Sequence, residues 1–164
     1  MQCLRNWQIL LTIFWNKYYE VNIMWGYITT FIGGVSIGIL VDKLVEKEKQ
    51  NSKLKFSEAL EVCFGTPVYT NLFTINDVRD WIKTNEKILG DEAKAIIMRA
   101  RPDILKVFES RLDFSNGIEN TLVLAIVNGS EKKIKASLLV KYDKLDEILD
   151  AALAKGDGVM VVEK

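Results

Sequence analysis

The chain has 164 residues, and its 22 Lys and Arg balance its 22 Asp and Glu to a formal net charge of zero. That balance argues against a nucleic-acid binder, which needs a positive footprint for the phosphates. There is no histidine, which removes the commonest general base, the commonest transition-metal ligand and every histidine-dependent triad. With 49% hydrophobic and 27% charged residues the composition is that of a folding chain, not a disordered one.

The first apolar stretch, Trp7 to Trp15, is too short to span a bilayer and is bounded by Asn6, Asn16 and Lys17. Its aromatics are crowded and follow no helical stripe. Residues 1–23 therefore read as a non-native leader or a short N-terminal segment, with Met24 as the expected start. Glu20-Val21 can be encoded as GAGGTG, a ribosome-binding sequence at a fitting distance from Met24.

From Val21 to Val41 the chain carries no charge, and Asp42-Lys43 closes the run abruptly. About 20 apolar residues of helix cross the hydrocarbon core, so 24–43 reads as a single transmembrane helix. A buried soluble helix would show a polar face, and none is present. A signal peptide would need a basic start and a small-residue cleavage site, which Leu40-Val41-Asp42 does not offer. Trp25 and Tyr27 suit one membrane interface. Lys43, Lys47, Lys49, Lys53 and Lys55 follow the run, whereas only Arg5 and Lys17 precede it. The positive-inside rule then places the C-terminal part in the cytoplasm, anchored in a bacterial cytoplasmic membrane. Gly34 and Gly38 form a G-x-x-x-G, a spacing that lets two membrane helices approach closely.

Residues 44–55 mix Lys and Glu and read as a charged, solvated stalk continuing the anchor helix. Contact with anionic lipid is the functional alternative, diluted by Glu46 and Glu48. Residues 56–164 are expected to form the cytoplasmic domain. Cys3 and Cys63 make neither a metal spacing nor a disulfide framework, and Cys63 lies in apolar Val62-Cys63-Phe64, as a buried thiol would.

Within this domain Thr74 and Asp77 have the spacing of a capping box, and Phe73 and Val78 that of a hydrophobic staple. Val78, Trp81, Ile82 and Leu89 mark one helical face, with Gly90 as the stop. Lys94 to Ala100 reads as a strand and Pro102 to Glu109 as a short helix begun by its proline. Thr121 to Val127 is a near-continuous apolar run, as an interior strand requires. Asn128-Gly129 opens a turn. Ile134, Ala136, Leu138, Val140 and Tyr142 then alternate with Lys133, Lys135, Ser137 and Lys141, and Leu139 breaks the polar side. Asp143 is expected to cap a last helix with the stripe Leu145, Ile148, Leu149 and Ala152, ended by Gly156. Val159 to Val162 is the final strand, a right-handed crossover from its predecessor if the two are parallel. The fold class is α+β: a transmembrane helix followed by a small mixed β-sheet domain packed with helices.

The chemical motifs are weak. Gly34-Val35-Ser36-Ile37-Gly38 matches G-x-S-x-G, but a nucleophile elbow needs a strand-to-helix turn and a histidine. Asn128-Gly129-Ser130 is a glycosylation sequon that a cytoplasmic domain leaves unmodified. Ser130 with Lys133, and Ser52 with Lys55, fit S-x-x-K, yet the lysines lie in polar stretches where their pKa would not fall. Asp143, Asp146, Glu147 and Asp150 read as caps and a solvated face. Arg99, Arg101, Lys106 and Arg111 are interleaved with Asp103, Glu109 and Asp113 and read as ion-paired surface. No Walker A or G-x-G-x-x-G loop occurs.

No catalytic, cofactor-binding or metal residue is assigned. The expected function is a membrane-anchored protein-interaction or assembly module. Its partners are the lipid bilayer and an unidentified protein or a second copy of the chain, without nucleic acid. The expected contact surfaces are Val159, Met160, Val161 and Val162, should they form a sheet edge, and the Gly34/Gly38 face. The alternative is a membrane-tethered hydrolase using Ser130 and Lys133 or carboxylate chemistry. A membrane component of a phage or mobile element is a third reading, which gene neighbourhood would separate.

Overall fold

The computed structural model describes residues 35–88, 93–115, 120–128 and 133–162. In chain order these form α1 (Val35–Lys49), β1 (Leu54–Lys55), α2 (Phe56–Phe64), β2 (Val68–Phe73), α3 (Ile75–Thr84) and β3 (Ala93–Arg99). A 3-10 helix (Pro102–Arg111), β4 (Leu112–Asp113), β5 (Thr121–Asn128), β6 (Lys133–Leu145), α4 (Glu147–Lys155) and β7 (Val159–Val162) complete them. The class is α+β, with a five-stranded mixed sheet in the order β2-β6-β5-β3-β7. β2 runs parallel to β6, and the other neighbours are antiparallel. Following those pairings outward, β7 runs opposite to β6, so the β6-α4-β7 unit is not a parallel crossover.

The sheet is buried on both faces, and that explains its sequence. Ile96, Met98, Val123, Ala125, Val127, Leu139 and Val159 face a core made with α1, β1, α2, the 3-10 helix and β4. Ala95, Ile97, Leu122, Leu124, Ile126, Val140 and Tyr142 face a second core, with Phe73, Val78, Leu149 and Leu153 from β2, α3 and α4. β5 is central and reads as one apolar run because neither of its faces meets water. Leu139 breaks the polar alternation of β6 for the same reason: it packs under α2, not in solvent.

A bulge changes the expected face of one residue. The β5–β6 register pairs Ile126 with Ala136 but Val127 with Ile134, leaving Lys135 as the extra residue. Ile134 therefore packs on the α2 side, whereas Ala136 and Leu138 pack on the α3 and α4 side. An inserted residue reverses the period-2 pattern beyond it.

The last helix starts three residues later than the sequence suggests. β6 continues through Asp143 to Leu145, and the N-cap is Asp146, whose Oδ1 accepts from Leu149 N–H at 2.7 Å. The buried stripe is accordingly Leu149 and Leu153, and Ile148 is 66% exposed. Parallel pairing with β2 holds β6 extended past Asp143, which is why the first available cap is not used. Asp146 also joins two elements: its Oδ2 accepts from Ile75 N–H at 3.1 Å, and its own N–H donates to the Phe73 carbonyl. Gly156 does end α4, but not through a left-handed conformation, since its φ is −99°. A Cβ there would stand 1.9 Å from the Val159 carbonyl oxygen, so the turn into β7 admits only glycine.

The helix expected after Thr74, α3, behaves as expected at its start. Thr74 N–H donates to Asp77 Oδ2 and Asp77 N–H to Thr74 Oγ1, closing a capping box. Phe73 and Val78 are both buried in the same core, beside Trp81 and Ile82. α3 ends at Thr84, and Leu89 and Gly90 lie outside the described residues. The Lys94 to Ala100 stretch is the strand β3, and Pro102 opens a 3-10 rather than an α-helix.

Residues 1–34 lie outside the described residues, and with them the expected leader and most of the expected transmembrane helix. Among the described residues no helix is long and apolar enough to cross a membrane. The stretch expected as a stalk does not stand free of the domain: Leu44 on α1 is 2% exposed, and Leu54 pairs with Leu112 inside the core.

Replacing Asp146 by Ala removes the α4 cap and the acceptor for Ile75 N–H together. It is expected to cost about 1–3 kcal/mol in chemical denaturation, with Asp146→Asn retaining most of the capping share. Gly156→Ala must displace the Val159 carbonyl and is expected to cost about 1–3 kcal/mol in the same measurement.

Candidate interaction surface

The residues singled out for chemistry do not converge. Ser130 lies outside the described residues, and Lys133 opens β6. Ser52 donates to the Lys47 carbonyl at the end of α1, and Lys55 is exposed on β1. Of the acids on the last helix, Asp143 is exposed on β6, Asp146 is the cap, and Asp150 pairs with Arg99. Arg101 is ion-paired to Asp103 at 2.9 Å and to Asp157 at 3.2 Å. Arg99–Asp150 thus ties β3 to α4, and Arg101–Asp157 ties the residues after β3 to the turn before β7, each exposed pair worth about 0–1 kcal/mol. Among the described residues no three His, Cys, Asp or Glu side chains gather as a metal site would require.

Two sheet edges remain, and they differ. β7 lies at one edge, paired to β3 from Met98–Val159 to Ala95–Val162. Val159 is buried, and Met160, Val161 and Val162 pack partly into the two cores. This edge is four residues long and keeps most of its apolar surface inward. Gly34 is outside the described residues, and Gly38 lies within α1.

β2 forms the opposite edge, in a stretch where no strand is expected from the sequence. Val-Tyr-Thr-Asn-Leu-Phe carries no charge over its six residues. Val68, Tyr69 and Leu72 are 53%, 71% and 52% exposed, large apolar side chains on an edge whose outer side no described strand pairs. Natural edges are ordinarily guarded by a lysine, a proline or a bulge. Pro67 precedes the strand, but nothing within it serves that purpose. The strand is held from the inside by its register with β6, by Phe73 in the core and by Lys141. The Lys141 ammonium donates to Tyr69 Oη at 3.3 Å and lies 3.7 Å from Glu61 on α2. It is 5.4 Å from the Tyr69 ring centroid, so the contact is chiefly with the hydroxyl. Thr70 Oγ1 donates to the Leu72 carbonyl, a local bond that leaves the rest of the outer edge open.

The signal for β2 was present in its β-branched and aromatic composition after Gly65-Thr66-Pro67. It shows no apolar alternation because an edge strand with two exposed sides has no reason to alternate. Gly65 makes the turn into it, with φ at +94°, a conformation that favours glycine.

Burial pushes the Cys63 thiol from 9.0 up to about 12, and the sulfur packs under the sheet with Leu60 and Phe64. Burial also raises the Tyr142 hydroxyl. Asp113 is held below its ordinary value, first by the Ser115 side chain and then by the Ser115 N–H.

The chain matches no protein-family model, no curated protein and no solved structure.

Burial favours the neutral form of Cys63, so the unfolded chain loses this proton near pH 9 while the folded chain keeps it to about pH 12. Its contribution to stability is complete below pH 9 and falls as pH rises from 9 to 12. A maleimide at pH 7.5 is expected to label Cys63 only after denaturation, read by mass spectrometry with and without urea.

Proposed function

We propose that the chain is a membrane-anchored interaction module that assembles with a second copy of itself through the β2 edge. The single observation that supports this reading is the uncharged β2 strand, with Val68, Tyr69 and Leu72 exposed along an unguarded edge. A strand without charge meets no like-charge repulsion from its own copy, so antiparallel β2–β2 pairing across a two-fold axis is self-compatible. With that axis normal to the bilayer, both anchors enter the membrane from one side. Confinement to a membrane raises the effective concentration of such a pair, so a modest edge suffices. The anchor is supported by the uncharged run Val21 to Val41 and the lysines that follow it. The G-x-x-x-G of Gly34 and Gly38 offers a second contact between copies within the membrane.

The full chain in mild detergent is expected to give a dimer by light scattering, and Thr70→Cys an enriched cross-linked dimer. Tyr69→Lys with Leu72→Lys sets four cations across the pair and is expected to weaken association by about tenfold or more. A wild-type chain that stays monomeric up to about 100 μM, indistinguishable from the lysine variant, overturns the reading.

A further inference from the structure

The apolar run and the folded domain overlap. The uncharged residues extend from Val21 to Val41, yet Leu40 is 0% and Leu44 2% exposed in the core that holds Phe56, Leu60 and Leu54. A side chain packed there cannot also face lipid. The two leucines are one helical turn apart on one face of α1, so they bind that helix to the domain at two successive levels.

We propose that the hydrocarbon part of the anchor ends at Ile39 and that α1 seats the domain directly beneath the lipid headgroups, with no stalk between them. This rests on the membrane-anchored reading above. Ile39 is the last apolar residue before the buried pair and is itself half exposed, as a lipid-facing residue at the boundary would be. Asp42, Lys43 and Glu46 are exposed within the next two turns, at the depth where headgroups and water begin. The uncharged run that precedes this boundary begins at Val21, so the sequence still offers about 20 residues, the number that crosses a hydrocarbon core. The C-terminal limit of the membrane window thus moves from residue 43 back to Ile39. Because α1 runs unbroken from Val35 to Lys49, it crosses the boundary at Ile39 without a linker.

The test uses the full chain with Cys3→Ser, reconstituted in phosphatidylcholine–phosphatidylglycerol vesicles. A polarity-sensitive fluorophore is placed at Ile39→Cys or Glu46→Cys, about 10 Å apart along the helix. Acyl-chain nitroxide lipids are expected to quench the probe at 39 several-fold more than the probe at 46. In the same vesicles Leu44→Ala is expected to lower the domain's Tm by about 10 °C while the chain still floats with the lipid. Equal quenching at both positions, no quenching at 39, or an unchanged Tm in Leu44→Ala each overturns the boundary while leaving the anchor intact. Recovery of the chain in the supernatant after ultracentrifugation without detergent overturns the anchored reading, and the boundary with it.

Discussion

Burial of the sheet on both faces is the constraint from which the rest of the structure follows. β5 and β3 lie inside the sheet and present apolar side chains above and below it. Neither face can be left to water at about 25 cal/mol per Å2 of apolar area, so two separate layers must be found for it. α3 and α4 supply one. The other is assembled from shorter pieces: α2, the 3-10 helix, the small β1–β4 bridge and α1. α1 is therefore not an appendage. Without Leu40 and Leu44 the layer over Phe56 and Leu60 would be incomplete.

Small polar devices hold these layers in register. Asp146 caps α4 and also receives the first N–H of α3, so the two helices on one face start from a common point. On the opposite face Ser137 Oγ donates to the Phe64 carbonyl, fastening the end of α2 to β6. Arg99 and Arg101 pair with acids of α4 and of the following turn, bringing β7 against β3. Each contact is modest in energy, but each is made between elements that the apolar cores have already brought together.

The two sheet edges show how the same architecture can be closed or open. β7 is short and tucks its side chains into both cores. β2 is longer, uncharged and outwardly apolar, which is unusual for an edge that ends in solvent. The Lys141–Tyr69–Glu61 group orders the inner side of β2 without covering its outer one. A covered inner side with an open outer side is what strand addition requires, since the template must be rigid before a partner pairs with it.

The sequence by itself determined the elements whose local chemistry and burial agree. Thr74 and Asp77 specify a capping box from their own spacing, the Thr121 to Val127 run can only be an interior strand, and the α+β class follows from these with the final Val159 to Val162 strand. The stripe Phe56, Ala59, Leu60, Cys63 and Phe64 has the spacing of a helix face, although the charged stretch before it masks the signal. The tertiary structure alone decided the rest, because each remaining choice depended on a distant neighbour. Pairing with β2 carried β6 past Asp143 and moved the cap to Asp146. The bulge at Lys135 turned Ile134 to the other face, which no period-2 count reveals. β2 itself could not be found by alternation, since an open edge imposes none. By sequence Leu40 reads as the end of an apolar span and Leu44 as part of a charged stalk, yet both complete the core around Phe56 and Leu60. An apolar side chain is attracted alike to lipid and to a protein core, and only the surrounding fold determines which of the two it meets.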